Sequence, residues 1–378
     1  MNFLQVLCVL VLSKLELGVV KHLSFCTIKF FASNKVNGIT CASIAGWIST
    51  RAISFGYSYR EIFMRQFVRI LIAAIMTSSL SVSTAIADTP DKTAAAGDSI
   101  TMAFAANCSG NVWFWDLFCL LGADQPTRSW FDGSNRSVDS VHDKYKRLDG
   151  SITANKNAAK SGSELRGGNN NFVVQAQNIV NQSSTPDHVE VLLGGNDICN
   201  RDCTTNNCSN SLYSNGEWRT AIRNGLNILM NGLPSGSTVE LGSVPRVQDL
   251  RSAGLAKQRG NWRVNCESLW NTFDVCPIAT NGGTMQGESY AQRFVNLNSR
   301  QAAYNNILKQ EAQAYNTNSN GRNPRGIEVI SEYTNQSTSN IGTFSFGKND
   351  INGGDCFHPS VSGQNRVANF MWQANTDR

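Results

Sequence analysis

The sequence predicts an α/β domain built on a parallel sheet that is covered on both faces. Three observations carry this. Short apolar runs such as 189–193 alternate with longer stretches of helical periodicity such as 217–233 and 291–315. Turns of glycine and small polar residues follow the apolar runs. From Asp88 onward there are about 290 residues, enough for one sizeable domain with insertions. Sheets of this kind carry their sites at the carboxyl ends of the strands.

Residues before Asp88 read differently. Met64-Arg65-Gln66-Phe67-Val68-Arg69 is a short basic start, Ile70 to Val82 is uncharged and mostly apolar, and Ala85-Ile86-Ala87 is a small-x-small cleavage site. These are the three parts of a secretory signal peptide over 64–87. Residues 1–63 then read as an upstream extension, with Met64 as the start. The uncharged run from Ile70 to Ala87 is also about long enough to span a bilayer, but its serines, threonines and cleavage site favour the signal. Of 33 Lys and Arg, eight precede Asp88; of 28 Asp and Glu, two do. The remaining 25 basic and 26 acidic residues leave a net charge of −1, so the basic balance belongs to the leader. Nucleic-acid binding loses its electrostatic support.

The elements follow in order. Ala94-Ala95-Ala96-Gly97-Asp98-Ser99 reads as a buried strand turning sharply, with Met102 to Ala106 continuing as helix. Between Cys108 and Cys119 lies an aromatic stretch with Trp113, Phe114 and Trp115, followed by Trp130. It reads equally as a loop over a site or as core. Ser151 to Asn157 is a strand candidate, with a small-residue turn through Gly162 and Ser163. Phe172 to Val180 is a short helix. Val189 to Leu193 is a buried strand ending in Gly194-Gly195-Asn196-Asp197, and Glu217 to Leu233 is a helix stopped by Gly232 and Pro234. Ser237 to Val244 is the next strand. Leu250 to Tyr290 reads as an irregular insertion, Ala291 to Tyr315 as a long amphipathic helix, and Gly326 to Ile330 as a strand. Ser360 or Ser362 caps a last helix through Val367, Phe370 and Met371.

Eight cysteines follow the leader, an even number that suits disulfides in an exported chain. Cys108/Cys119 and Cys266/Cys276 are natural local pairs; Cys199, Cys203, Cys208 and Cys356 allow three pairings. One of these, Cys356 to Cys199 or its neighbours, would tie the loop around His358 to the loop around Asn196. A zinc reading of Cys199, Cys203 and Cys208 matches no strong ligand spacing.

Serine-based ester hydrolysis needs a hydroxyl, a base, a group orienting the base, and donors for the oxyanion. Ser99 stands at a turn. His188 precedes a strand, on the side away from that turn. His142 lies in a charged stretch, Asp139 to Arg147, that reads as a solvated loop or helix. His358 follows Asp355 by three residues in one loop, where the carboxylate can fix the imidazole tautomer. The oxyanion donors are the backbone N–H groups of Ser99 and Gly162 and the side-chain amide of Asn196. Asp98 and Asp197 brace the turns.

Gly97-Asp98-Ser99, Asn157 to Gly162, Gly194-Gly195-Asn196-Asp197 and Asp355-x-x-His358 resemble, in order, the four blocks of the SGNH (GDSL-type) hydrolases. Ser129-Trp130, Ile198-Cys199 and Cys356-Phe357 make the chain most similar to the phospholipase B-like lipases. The resemblance implies a flavodoxin-like three-layer α/β/α sandwich and acyl-ester hydrolysis without metal or cofactor. It implies Ser99 as nucleophile, His358 as base, Asp355 as its partner, and Gly162 and Asn196 as oxyanion donors. Residues 88–378 are then the catalytic domain, with an insertion near 250–290 and the stretch 200–215 matching no family block. The expectation is a secreted or periplasmic carboxylic ester hydrolase of the lipase, esterase or phospholipase type. Its partners are an acyl-ester substrate and, transiently, a lipid surface. The alternatives are a polysaccharide O-acetyl esterase and a carbohydrate-binding protein on the same scaffold, the latter motivated by the polar loops and tryptophans.

Overall fold

The structure, a computed structural model, describes residues 89–108, 124–152, 154–203, 208–319, 321–334 and 339–375, together with the backbone of three earlier strands. The signal-peptide reading of 64–87 and the aromatic stretch through Trp115 lie outside the described residues. The chain divides into two units, Met1–Thr84 and Ala85–Arg378. The first contains an antiparallel sheet of β1 (Gln5–Cys8), β2 (Leu23–Phe30) and β3 (Val36–Ile44).

The second unit is organised on five parallel strands: β4 (Lys92–Gly97), β5 (Ala154–Asn157), β6 (His188–Leu192), β7 (Thr238–Leu241) and β8 (Glu328–Ser331), ordered β5-β4-β6-β7-β8. This is the flavodoxin-like order, in which the chain reverses direction across the sheet beside β4. The helices are α1 (Val141–Leu148), α2 (Phe172–Val180), α3 (Gly195–Cys199), α4 (Asn215–Gly232), α5 (Leu250–Gly260), α6 (Cys266–Phe273), α7 (Pro277–Thr280), α8 (Tyr290–Asn316) and α9 (Val361–Ala374). Helix α4 packs between α2 and α8, and α1 packs on α9. Right-handed crossovers put these two groups on opposite faces, giving three α/β/α layers. Every residue of β6 and β7 is buried, as expected of strands covered on both sides.

Most elements fall where periodicity places them, within a residue or two, and Phe172–Val180 coincides with the expected helix. Capping explains the sharp starts. Ser214 with Glu217 and Ser289 with Gln292 form capping boxes on α4 and α8, and Ser360 caps α9.

Four expectations are corrected. Residues 100–107 form consecutive turns rather than a helix: Ala103 and Ala105 take left-handed backbone (φ 49° and 53°), which ends each helical turn as it starts. The stretch 250–290 is not irregular but holds α5, α6 and α7. His142 is not solvated; α1 turns it and Lys144 inward, each only 6% exposed. The cysteines pair as Cys199–Cys276, Cys203–Cys208 and Cys266–Cys356. The local pair Cys266/Cys276 and the link from Cys356 to Cys199 are both overturned, because Cys266 and Cys276 face different neighbours across the insertion. Cys108 is disulfide-bonded, and Cys119 lies outside the described residues.

Candidate active site

The site begins with the end of β4. Gly97 must be glycine, since a Cβ there would stand 2.0 Å from the Thr101 hydroxyl oxygen. Its backbone is gripped at both ends by Gln175 of α2: the Gly97 N–H donates to Oε1 at 2.7 Å, and Nε2 donates to the Gly97 carbonyl at 2.9 Å. From α9, Gln364 donates to the Ile100 carbonyl and accepts from the Trp130 N–H, both at 2.9 Å. Both glutamines are buried and fix the turn that carries Ser99. Neither was singled out from the sequence, because a glutamine inside an apolar helical face carries no local signature of its distant partner.

His358 arrives on the loop before α9. Its Nε2 lies 2.8 Å from Ser99 Oγ, and its Nδ1 lies 2.6 Å from Asp355 Oδ2. With Nδ1–H donating to the carboxylate, Nε2 presents its lone pair to the serine hydroxyl. The other Asp355 oxygen accepts the backbone N–H groups of Phe357 and His358, at 2.8 and 3.0 Å. Burial pushes the Asp355 carboxyl upward, but the charge of His358, the bond to its ring and the two N–H groups outweigh burial and hold it below its usual range. Asn352, another residue without a sequence signal, shapes the loop. Its Oδ1 accepts from Gly354 and Asp355, and its Nδ2 donates to the His358 carbonyl. Phe104 and Phe357 flank the imidazole, with ring centroids 4.7 and 4.8 Å away.

Asn196 stands in the first turn of α3, just past β6. Gly194 before it has φ 119°, and a Cβ there would come within 2.7 Å of Val244 and 2.9 Å of Trp218. The Asn196 amide donates to the Ser163 carbonyl at 2.9 Å, which fixes which way the amide faces and leaves its second hydrogen for the cleft. Gly162 precedes Ser163 on the loop after β5, exposed and with φ 81°. It is on the same edge of the sheet but is not among the residues lining the cleft. Asp197, fully buried, ties this loop to α3 by accepting from the N–H groups of Leu165 and Arg166 at 2.6 and 3.1 Å. Burial lifts its carboxyl to about 7, against those two hydrogen bonds. Asp98 accepts from the Ile100 N–H at 2.8 Å and is lifted to about 6, again chiefly by burial.

Ser99, His358 and Asn196 border an open cleft. Its other walls are mostly apolar: Ile100, Pro245, Val247, Leu250, Phe346, Phe357 and Pro359, with Arg246 at one side. The Arg246 guanidinium is held by Asp249 at 2.6 Å and Asn298 at 3.0 Å.

The other two histidines of this unit lie at the opposite end of the sheet. His142 Nδ1 is 3.2 Å from the Thr93 hydroxyl near the start of β4, and burial lowers its imidazole to about 4. His188 opens β6, fully buried against Glu190. His188, Glu190 and Glu240 bring potential metal-ligand atoms within 4.8 Å of one another, remote from Ser99. Cys199, Cys203 and Cys208 are oxidised to disulfides and so are closed to zinc.

No curated protein matches the chain. Among solved structures it is similar to an active-site mutant of a family two carbohydrate esterase from Clostridium thermocellum. The identity is 13% over 75% of this chain and 61% of that one, with a TM-score of 0.37. A second is a carbohydrate esterase whose active site displays divergent catalytic and non-catalytic binding functions. There the identity is 12%, the coverage 75% and 67%, and the TM-score 0.33. The family model for GDSL-like lipases and acylhydrolases matches residues 94–371, from the strand before Ser99 to the helix after His358. The chain belongs to the GDSL-like lipase/acylhydrolase family.

Proposed function

We propose that the protein is an exported carboxylic ester hydrolase that works through an acyl-enzyme on Ser99. The observation that carries this is the chain of contacts from Ser99 Oγ to His358 Nε2 and from His358 Nδ1 to Asp355. Ser99 Oγ attacks the ester carbonyl carbon while its proton passes to His358 Nε2. Asp355 stays ionised and stabilises the imidazolium. The carbonyl oxygen gains negative charge beside the Asn196 amide and the Ser99 N–H, and the Gly162 N–H serves as a third donor only if its loop, outside the cleft lining in this structure, turns toward the oxyanion. Collapse expels the alcohol, which takes the proton from His358. Water, deprotonated by the same nitrogen, then attacks the acyl-Ser99 and releases the acid.

The apolar walls of the cleft suit the hydrocarbon part of an acyl group, which supports the lipase or phospholipase reading over deacetylation of a glycan. The disulfides suit the export that the 64–87 signal supplies. A fluorophosphonate probe tests the core of the proposal: it is expected to label the wild type and to leave Ser99→Ala unlabelled. Labelling that survives the substitution, or is absent from the wild type, overturns it. Comparing long-chain, short-chain and acetyl-sugar esters on the same protein decides the substrate class, and turnover confined to acetyl sugars replaces the lipase reading.

A further inference from the structure

The loop bearing His358 and the helix bearing Asn196 share a support outside the sheet. Cys266, at the start of α6, is bonded to Cys356, and Cys276, just before α7, is bonded to Cys199 at the end of α3. The segment 250–289 thus reaches both halves of the site covalently. Cys356 sits between Asp355 and Phe357-His358. It is fully buried, and its backbone is left-handed, with φ 55°. A residue with a Cβ holds that conformation only under restraint. Besides the Asp355 carboxylate, which accepts the Phe357 and His358 N–H groups just beyond Cys356, two restraints come from the segment 250–289. One is the disulfide; the other is the Trp270 indole N–H, which donates to the Cys356 carbonyl at 3.3 Å. Trp270 is itself seated against Gly254 of α5, where a Cβ would come within 2.3 Å of the indole ring.

We infer that Cys266 and Trp270 are positioning residues, through which the insertion holds the Asp355–His358 pair in line with Ser99. This rests on the proposal that these three residues form the catalytic triad. Without these two, only the Asn352 and Asp355 hydrogen bonds on either side oppose the relaxation of Cys356 to an ordinary backbone conformation. That relaxation rotates the chain between the carboxylate and the imidazole, and a displacement of about 1 Å at such a site costs on the order of 10²-fold in rate. The insertion therefore contributes to kcat, although none of α6 lines the cleft.

Two variants test this. Trp270→Phe keeps the disulfide and most of the ring packing but removes the N–H donor. The double variant Cys266→Ser with Cys356→Ser removes the covalent link. Two readouts apply: kcat and KM on a short-chain p-nitrophenyl ester, and the downfield proton resonance of the His358 Nδ1–H held by Asp355. The expected result is a kcat lowered at least about tenfold in the double variant and several-fold in Trp270→Phe, with KM nearly unchanged and the Nδ1–H resonance weakened in both. Unchanged kcat and an unchanged resonance, with only a lower melting temperature, overturn the inference and leave a purely structural role. If the double variant does not fold, Trp270→Phe decides. A wild type with no ester turnover, whose Nδ1–H signal is nonetheless lost in the variants, refutes the catalytic reading while supporting the positioning role.

Discussion

At the scale of single residues, two buried acids have opposite pH behaviour to the acid at the active site. Asp98 at about 6 and Asp197 at about 7 bind their protons more tightly in the folded chain than in the unfolded one, where the value is near 3.8. Their stabilising contribution is complete below that unfolded value and is lost as pH rises through 6 and 7. Asp355 runs the other way: its contribution is present above the ordinary carboxylate value and disappears as pH falls through its lowered one. His142, lowered to about 4, acts in the opposite sense over the same window. Thermal stability between pH 4 and 7 is therefore expected to fall more, or rise less, in the wild type than in Asp197→Asn; an identical pH profile in the variant refutes the assignment. Asp355→Asn is expected to lower kcat by about 10⁴-fold, because the amide no longer enforces the tautomer that leaves Nε2 free. Steady-state kinetics checks this, and a loss confined to KM contradicts it. The residues of this site were legible in sequence where a local pattern exists: Ser99 behind Gly97, Asn196 behind Gly194, His358 three after Asp355. Gln175 and Gln364 were not, because their backbone partners lie 78 and 264 positions away, and Asn352 was not, because an asparagine bonding to its own loop has no distinctive spacing.

At the scale of elements, β4 is weakly strand-like by composition, with three alanines and a glycine, yet it lies inside the sheet between β5 and β6. Its place is set by neighbours rather than by propensity. Gln175 acts at its end as a substitute strand partner for Gly97. Replacing it by leucine leaves the buried Gly97 N–H unpaired, at a cost of about 1–3 kcal/mol, and leaves the Gly97 carbonyl with the Lys160 N–H as its remaining donor. Gln175→Leu is thus expected to destabilise the fold by a few kcal/mol in urea unfolding and to reduce kcat; a stability within about 0.5 kcal/mol of wild type excludes the clamp. The periodic elements of the sheet and its covering helices could be read because each buries one consistent face. The segment 250–290 could not. Its helices are short, and it meets the rest of the unit partly through disulfides between cysteines 77 and 90 residues apart, a separation to which no sequence spacing points.

At the scale of the whole molecule, the expected export can be checked directly. If the 64–87 segment is a signal that is removed, N-terminal sequencing of the secreted protein is expected to begin at Asp88; a chain still carrying Met64 contradicts the cleavage. The alternation of strands and helices across nearly 280 residues made the α/β class readable, and the family match over 94–371 spans that same interval.

Ser99 and His358 stand 259 positions apart, at the two ends of this unit, and Gln364 behind them must also arrive. A ribosome delivers the hydroxyl 259 residues before the imidazole. Until the final helix has been made and docked, the nascent chain holds a serine with no base beside it. If Ser99 and His358 act as proposed, an unfinished copy is expected to carry no esterolytic activity.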